Sequence, residues 1–426
     1  MLNQFLEYLE LNCLFDKEQH GFRPGKSVVS ASIQFIESII DAVDKGENVI
    51  GIFLDLTKAF DSVSHPELLT ALQNLGVHGR ALSWFKSYLE NRKQYVELSN
   101  TNSNNKTYCV KSKLRALKYG VPQGSILGPV LFLCYINSMP SIANCDVCLY
   151  ADDINIKISD KKIFNVQNTA NSCLASISSF LSSKNLLVNP SKTKFVPFRT
   201  SQNSKNMVSD IILNNKQIQM EECIKFLGLS IDCSLNWNDH VNKLCKKLAS
   251  GLYAIRTMSR LCDLNTLKTI YFSFMHSHIS YGLIVYGCTS HENLNKILVF
   301  QKKALRIMMG LGWLDSVKQH FIGLGIFTVF SLYTRIFELV LLIKRNLLTL
   351  PKLGDNHNYN TREKNEVAYV YHNLKFFEKK PSYSGIKFYK QLPSKIKELS
   401  KFQDFKKQVK NFLLSKPLYS LNEFFE

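Results

Sequence analysis

The chain has 426 residues, 45% of them hydrophobic and 20% charged, which is enough for two or three domains with real cores. Its net charge of +19 is uneven: residues 1–232 carry 24 Lys and Arg against 21 Asp and Glu (net +3), while residues 233–426 carry 29 against 13 (net +16). A separate cationic region calls for a polyanionic partner, most simply a nucleic acid backbone, although a solvated lysine-rich surface has the same composition.

Eleven cysteines without regular spacing and no secretory segment predict a reducing intracellular compartment.

Leu2–Leu14 reads as the end of a helix, followed by a loop punctuated by Gly21-Phe-Arg-Pro-Gly25. Ser27–Val43 has apolar residues at helical spacing, at Val29, Ile33, Ile36 and Ile40. Gly46-Glu-Asn48 turns into the apolar run Val49-Ile-Gly-Ile-Phe-Leu-Asp55, a strand that ends in a carboxylate. Ser64-His-Pro-Glu67 predicts a capping box, with Ser64 as N-cap and Glu67 three residues on, opening a helix through Leu75. A second helix is expected over Gly79–Leu89, and a hairpin over Val96–Val110, which is polar and Asn-rich at its centre.

The tight loop Gly120-Val-Pro-Gln-Gly-Ser125 leads into a helix over Leu127–Asn137. Val147–Leu149 and Ile154–Ile158 then flank Tyr150-Ala-Asp-Asp153 as the strands of a hairpin. Ala170, Leu174, Ile177 and Leu181 mark an amphipathic helix. Short strands are expected near Leu186–Val188 and Phe195–Phe198, a hairpin turning at Asn214-Asn215, and a strand over Lys225–Ile231. Strands interleaved with crossing helices predict an α+β sheet domain ending near residue 232.

The pattern then becomes helical. Val241, Leu244, Leu248, Leu252 and Ile255 form one stripe with Lys243, Lys246 and Lys247 off it, and helices are expected over Asn265–Tyr281 and Asn293–Met309. The apolar stretch Gly323–Ile343 contains Tyr333, Arg335 and Glu338 and reads as a buried helix, not a membrane span. Leu350–His357 reads as a linker, and Tyr369–Phe425 as a Lys- and aromatic-rich tail. Cys145-Asp-Val-Cys148 lacks a second pair at zinc-site spacing, so buried strand thiols are expected there; His276 and His278 read as packing or surface residues.

Asp55, Asp152 and Asp153 concentrate the chemistry. Strands avoid ending in ionised groups unless something pairs with them. Three carboxylates delivered by strand ends to one place form an oxygen-rich site for hard divalent cations, the arrangement that two-metal phosphoryl transfer requires. Asp61, also acidic, is expected only to support its turn.

Five motifs occur in order: Phe53-Leu-Asp-Leu-Thr-Lys-Ala-Phe-Asp-Ser-Val63, Tyr119-Gly-Val-Pro-Gln-Gly-Ser-Ile-Leu-Gly-Pro129, Leu149-Tyr-Ala-Asp-Asp153, Asn189-Pro-Ser-Lys-Thr193 and Phe226-Leu-Gly-Leu229. Together they resemble the palm motifs of reverse transcriptases from non-LTR retrotransposons, particularly the jockey-like group. Gly21-Phe-Arg-Pro-Gly-Lys-Ser27 resembles the loop that precedes the palm in these enzymes, with Val28 where relatives often have Thr. Leu235-Asn-Trp237 with His240, Tyr281-Gly282, Gln301-Lys-Lys-Ala-Leu-Arg306 and Leu392-Pro-Ser-Lys395 extend the likeness over nearly the whole chain.

The resemblance implies a right-hand polymerase: partial fingers and a ferredoxin-like palm over 1–232, a helical thumb over 233–310, and a basic, mostly helical C-terminal region over 311–426. It implies an RNA-directed DNA polymerase acting on an RNA template, a DNA primer and dNTPs, with two Mg²⁺ or Mn²⁺ ions held by Asp55 and Asp152 and the site completed by Asp153. Phe60 would lie under the incoming sugar and exclude a 2′-hydroxyl. Gln123, Gly124 and Tyr150 would face nucleotide and template, Lys192 the departing pyrophosphate, and Arg23 either the triphosphate or template or its own loop, which it could equally pin. The family implies a nuclear site of action. Because Met1 stands just before the Gly21–Ser27 loop, the upstream fingers and endonuclease of relatives are expected to be missing. The alternative is then a catalytically inactive nucleic-acid-binding remnant. An RNA-templated RNA polymerase shares the palm, but Phe60 argues against it.

Overall fold

A five-stranded mixed sheet organises the first half of the molecule. The computed structural model describes residues 1–101, 105, 107–202, 210–331, 339–341, 343–345, 350–352 and 367–426. Strand β1 (Asn48–Leu54) is central; β2 (Asp146–Tyr150) and β3 (Asp153–Asp160) form a hairpin on one side, and β4 (Lys194–Phe198) and β5 (Gln219–Met220) lie on the other. The order is β5-β4-β1-β3-β2, with every neighbouring pair antiparallel except β4 and β5.

Helices α1 (Leu2–Leu11), α2 (Val28–Asp44), α3 (His65–Asn74), α4 (Gly79–Leu89), α5 (Gly128–Ile136) and α6 (Ile163–Ser183) surround the sheet. Alternation along the strands assigns the two faces. Ile50, Ile52 and Leu54 join Ile154, Ile156 and Ile158 in a core shared with α1, α3, α4, α5 and α6. Val49, Phe53, Val196 and Phe198 face α2. The expected Val96–Val110 hairpin is present, with strands Glu97–Thr101 and Thr107–Lys111 exposed on every residue.

The second half is helical: α7 (Asn238–Met258), α8 (Leu264–Tyr271), α9 (His291–Met309), α10 (Lys318–Leu324), α11 (Pro381–Lys390) and α12 (Phe402–Ser415). Its core is continuous with the α2 face of the sheet. Phe35, Phe53 and Phe226 pack edge-on or tilted with ring centroids 4.9–5.8 Å apart, and beyond them Trp237, Leu248, Tyr271, Ile297, Phe321 and Phe405 belong to the same cluster. The junction near residue 232 is a tight turn wound on one carboxylate. Asp232 accepts from the backbone N–H groups of Ser234, Asn236 and Trp237 at 3.1, 3.0 and 2.6 Å.

Several expectations change. Ser64 precedes α3 but makes no side-chain cap; Glu67 instead pairs with Lys184 at 3.0 Å, so the capping box is absent. A capping box does form on α2, between Ser27 and Ser30. Lys225–Ile231 is not one strand but a hairpin, β6 (Cys223–Phe226) and β7 (Leu229–Asp232), turning at Leu227-Gly228. Asn265–Tyr281 is interrupted: α8 widens into a π-helical turn over Phe272–His276 before Ser277–Ser280. Cys148 is a buried thiol, but Cys145 is disulfide-paired with Cys173 of α6.

The basic tail folds back onto α2. Asp44 accepts from the backbone of Asn373 and Leu374, Lys380 pairs with Asp41 at 2.6 Å, and Ser382 N–H donates to Glu37. Much of the linker expected at Leu350–His357, and Tyr333, Arg335 and Glu338, lie outside the described residues. No helix of the described residues is long and apolar enough to cross a membrane.

Candidate active site

Strand register brings the acidic residues together. β1 and β3 pair antiparallel with Leu54 opposite Ile154, so the next step along each strand sets Asp55 opposite Asp153. Residues facing one another across an antiparallel ladder have α-carbons about 4.5–5.5 Å apart and share a face. That face is the one of Phe53 and Asn155, toward α2. Asp152 sits between β2 and β3 in a two-residue turn closed by the Tyr150–Asp153 pair.

These carboxylates lack cationic partners in proportion to their number. Burial, then the charge of Asp55, pushes the Asp152 carboxyl above its ordinary value. Burial, then the charges of Asp152 and Asp55, does the same for Asp153, opposed by Lys225. Among the described residues no ion pair reaches Asp152 or Asp153, whereas Lys192 lies 3.6 Å from Asp55 Oδ2. Such an acidic face fits divalent cations. Among the described residues no group of three or more Asp, Glu, His or Cys side chains is placed so that it could hold a metal ion.

Lys192 reaches Asp55 because its loop is tied to that strand end. Asn189 N–H donates to the Asp55 carbonyl at 2.8 Å, and Asn189 in turn accepts from Ser191 and Thr193 N–H at 3.1 and 3.0 Å. Phe60 packs on Phe132, ring centroids 4.5 Å apart, and its carbonyl accepts from Val121 N–H at 2.9 Å. The same lacing continues through Gln123, whose Nε2 donates to Asp61 Oδ1 at 2.8 Å. The Asp61 side chain, expected only to support its turn, thus holds the Gln123 loop. Gly124 follows at φ +79 with open space above it. Tyr150, half-buried, neighbours Tyr281, whose hydroxyl donates to the Leu227 carbonyl at 2.6 Å.

Arg23 does not join this group. Its guanidinium is bidentate on Glu10 at 2.8 Å for both bonds, donates also to the Asp16 and Gln19 carbonyls, and lies over the Phe15 ring. With four of its five N–H donors engaged and its side chain 10% exposed, it pins its loop and presents little of its charge to a triphosphate.

Two neighbours of the site escaped the sequence reading. Lys225 offsets Asp153, and its only signal is its place immediately before Phe226-Leu-Gly-Leu229. Gln19, buried, accepts from Ala151 N–H in the carboxylate turn at 3.0 Å; nothing in a lone glutamine before Gly21 marks it.

Residues 1–231 match the family described as reverse transcriptase (RNA-dependent DNA polymerase). The RNA-directed DNA polymerase from mobile element jockey of Drosophila melanogaster is 29% identical over 325 residues, covering 74% of this chain and 34% of that protein. The Drosophila funebris protein of the same name is 27% identical, and the probable RNA-directed DNA polymerase from transposon X-element of Drosophila melanogaster 26%, each covering 34% of its own length. The chain thus spans about a third of the length of these curated relatives. Among solved structures, apo telomerase from Candida tropicalis is 12% identical with a TM-score of 0.42, covering 78% of this chain and 54% of that one.

Proposed function

The chain belongs to the reverse transcriptase (RNA-dependent DNA polymerase) family, and from that premise we propose that it extends a DNA primer on an RNA template in a non-LTR element of the jockey type. The observation that carries this is the register setting Asp55 opposite Asp153, with Asp152 in the adjoining turn and Lys192 3.6 Å from Asp55.

Asp55 and Asp152 would hold two divalent cations, Mg²⁺ or Mn²⁺, with Asp153 as a further ligand or near charge. Bound there, such ions would supply the charge that lowers the pKa of the primer 3′-hydroxyl and offsets the charge of the triphosphate. Asp55 and the Asp152 turn fix where the α-phosphate and the primer end meet. Lys192, exposed beside Asp55, offers an ammonium to the departing pyrophosphate. Phe60, backed by Phe132, forms the floor under the sugar and discriminates against a 2′-hydroxyl. Gln123 and Gly124 face the nucleotide and template, with Tyr150 at the edge. Residues 1–232 serve as fingers and palm, 233–310 as thumb, and 311–426 as a C-terminal region. The basic helices of the second half contact duplex phosphates without reading sequence.

The test is primer extension with purified protein, RNA template, DNA primer, dNTPs and Mg²⁺. Extension that disappears in Asp55→Asn and in Asp152→Asn is the expected result. No extension, with template–primer binding retained, would make the chain a non-catalytic nucleic-acid binder. Extension that survives Asp152→Asn combined with Asp153→Asn would remove these residues from the site.

A further inference from the structure

The turn that carries Asp152 is held from outside the sheet. Ala151 takes φ +55 at the first position of the two-residue turn, a left-handed conformation that glycine favours and a residue with a β-carbon resists. What holds it is the segment Glu18–Gly21, which lies along the outer edge of β2. Leu149 N–H donates to the Glu18 carbonyl at 3.0 Å and His20 N–H to the Leu149 carbonyl at 2.8 Å. Between these bonds the Gln19 side chain turns inward, 2% exposed. Its Oε1 accepts from Ala151 N–H at 3.0 Å and from Gly21 N–H at 2.8 Å. Gly21 lies so close that a β-carbon there would sit 2.5 Å from the Ala151 nitrogen. The brace is itself anchored: the His20 ring bonds Ser30 Oγ at 2.8 Å and Gln34 Oε1 at 2.9 Å, both on α2.

We propose that Gln19 is a positioning residue for the metal-binding carboxylates, its buried amide oxygen holding Ala151 in the left-handed conformation that aims Asp152 and Asp153. The inference rests on the polymerase reading of the site. It follows from place: the bond falls on the residue immediately before Asp152. A ligand displaced by about 1 Å loses much of its effect. Gln19 touches neither substrate nor metal; it acts through the backbone of the turn.

The experiment measures Mn²⁺ binding to the full chain by electron paramagnetic resonance, without nucleic acid, alongside primer extension. Gln19→Met keeps the side-chain length and removes the acceptor. It is expected to weaken Mn²⁺ binding about tenfold, as loss of a group that orients metal ligands does, and to lower kcat with little change in the KM for dNTP. Gly21→Ala, which crowds Ala151 from the same side, should act alike and stands in if Gln19→Met does not fold. The decisive arm is rescue. Adding Ala151→Gly to Gln19→Met should restore Mn²⁺ affinity, because glycine takes the turn conformation unaided. Failure of that rescue, or Mn²⁺ binding unchanged in both single variants, overturns the proposal. Asp55→Asn and Asp152→Asn separate the two levels. If they abolish Mn²⁺ binding while Gln19→Met and Gly21→Ala bind normally, only the brace falls; if they leave binding intact, the metal site falls with it.

Discussion

Neutralising Asp153 should stabilise the metal-free protein while abolishing primer extension. Asp153 faces two like charges, Asp152 and Asp55, and one compensating cation, Lys225. Unit charges about 6 Å apart interact by about 0.7 kcal/mol in water-like surroundings, which is a lower bound for Asp153, a side chain exposed at the surface yet partly desolvated by its neighbours. Two repulsions less one attraction, with some relief of desolvation, leave a gain of about 1 kcal/mol for Asp153→Asn, or about 1–2 °C in Tm for a chain this long. Mg²⁺ reverses the order: at ten times its dissociation constant it stabilises the wild-type site by about 1.4 kcal/mol, and the variant by less.

The pH dependence has a definite sign. Asp153 and Asp152 are both raised, so the folded chain binds their protons more tightly than the unfolded chain. Wild-type stability therefore falls as pH rises from the ordinary aspartate value of 3.8 through the raised folded values, then levels off. The D153N advantage should be present at pH 7.5 and shrink toward pH 4. Urea and thermal melts in EDTA and in Mg²⁺, at both pH values, measure all of this. A D153N protein less stable than wild type in EDTA at pH 7.5, with Mg²⁺ raising both equally, refutes the electrostatic account.

Phe60→Val should raise ribonucleotide over deoxynucleotide use by about tenfold or more in kcat/KM; an unchanged ratio assigns Phe60 to packing on Phe132 alone. Lys246 and Lys247 are exposed on α7, so K246A/K247A should weaken template–primer binding evenly across sequences. Each lost phosphate contact should flatten the log–log salt slope by about 0.9, and an unchanged slope removes this helix face from the interface. Gly228, at φ +83, would place a β-carbon 2.9 Å from the Tyr281 hydroxyl. Gly228→Ala should therefore cost about 1–3 kcal/mol in urea unfolding, and a cost below about 0.5 kcal/mol would show that the β6–β7 turn yields freely.

Alternation and helical spacing made β1, the β2–β3 hairpin, α2, α4 and α7 legible, because those patterns are written within a few residues of each other. The order of the motifs likewise marked Asp55, Asp152, Asp153, Phe60, Gln123 and Lys192 as candidates for one site, and of these the fold brings the three aspartates and Lys192 together. Partner choice was decided only in three dimensions. Glu67 leaves the expected cap for Lys184, 117 positions away, and of the two roles open to Arg23 the fold takes the loop, through Glu10. Gln19 reaches Ala151 across 132 positions, and the basic tail finds its anions on Asp41 and Asp44 of α2. The chain thus determined by itself which carboxylates stand at strand ends. Register and long-range hydrogen bonding decided which of them face one another and what holds them there, because a buried polar group takes whichever partner the fold brings within about 3 Å, whatever its distance in sequence.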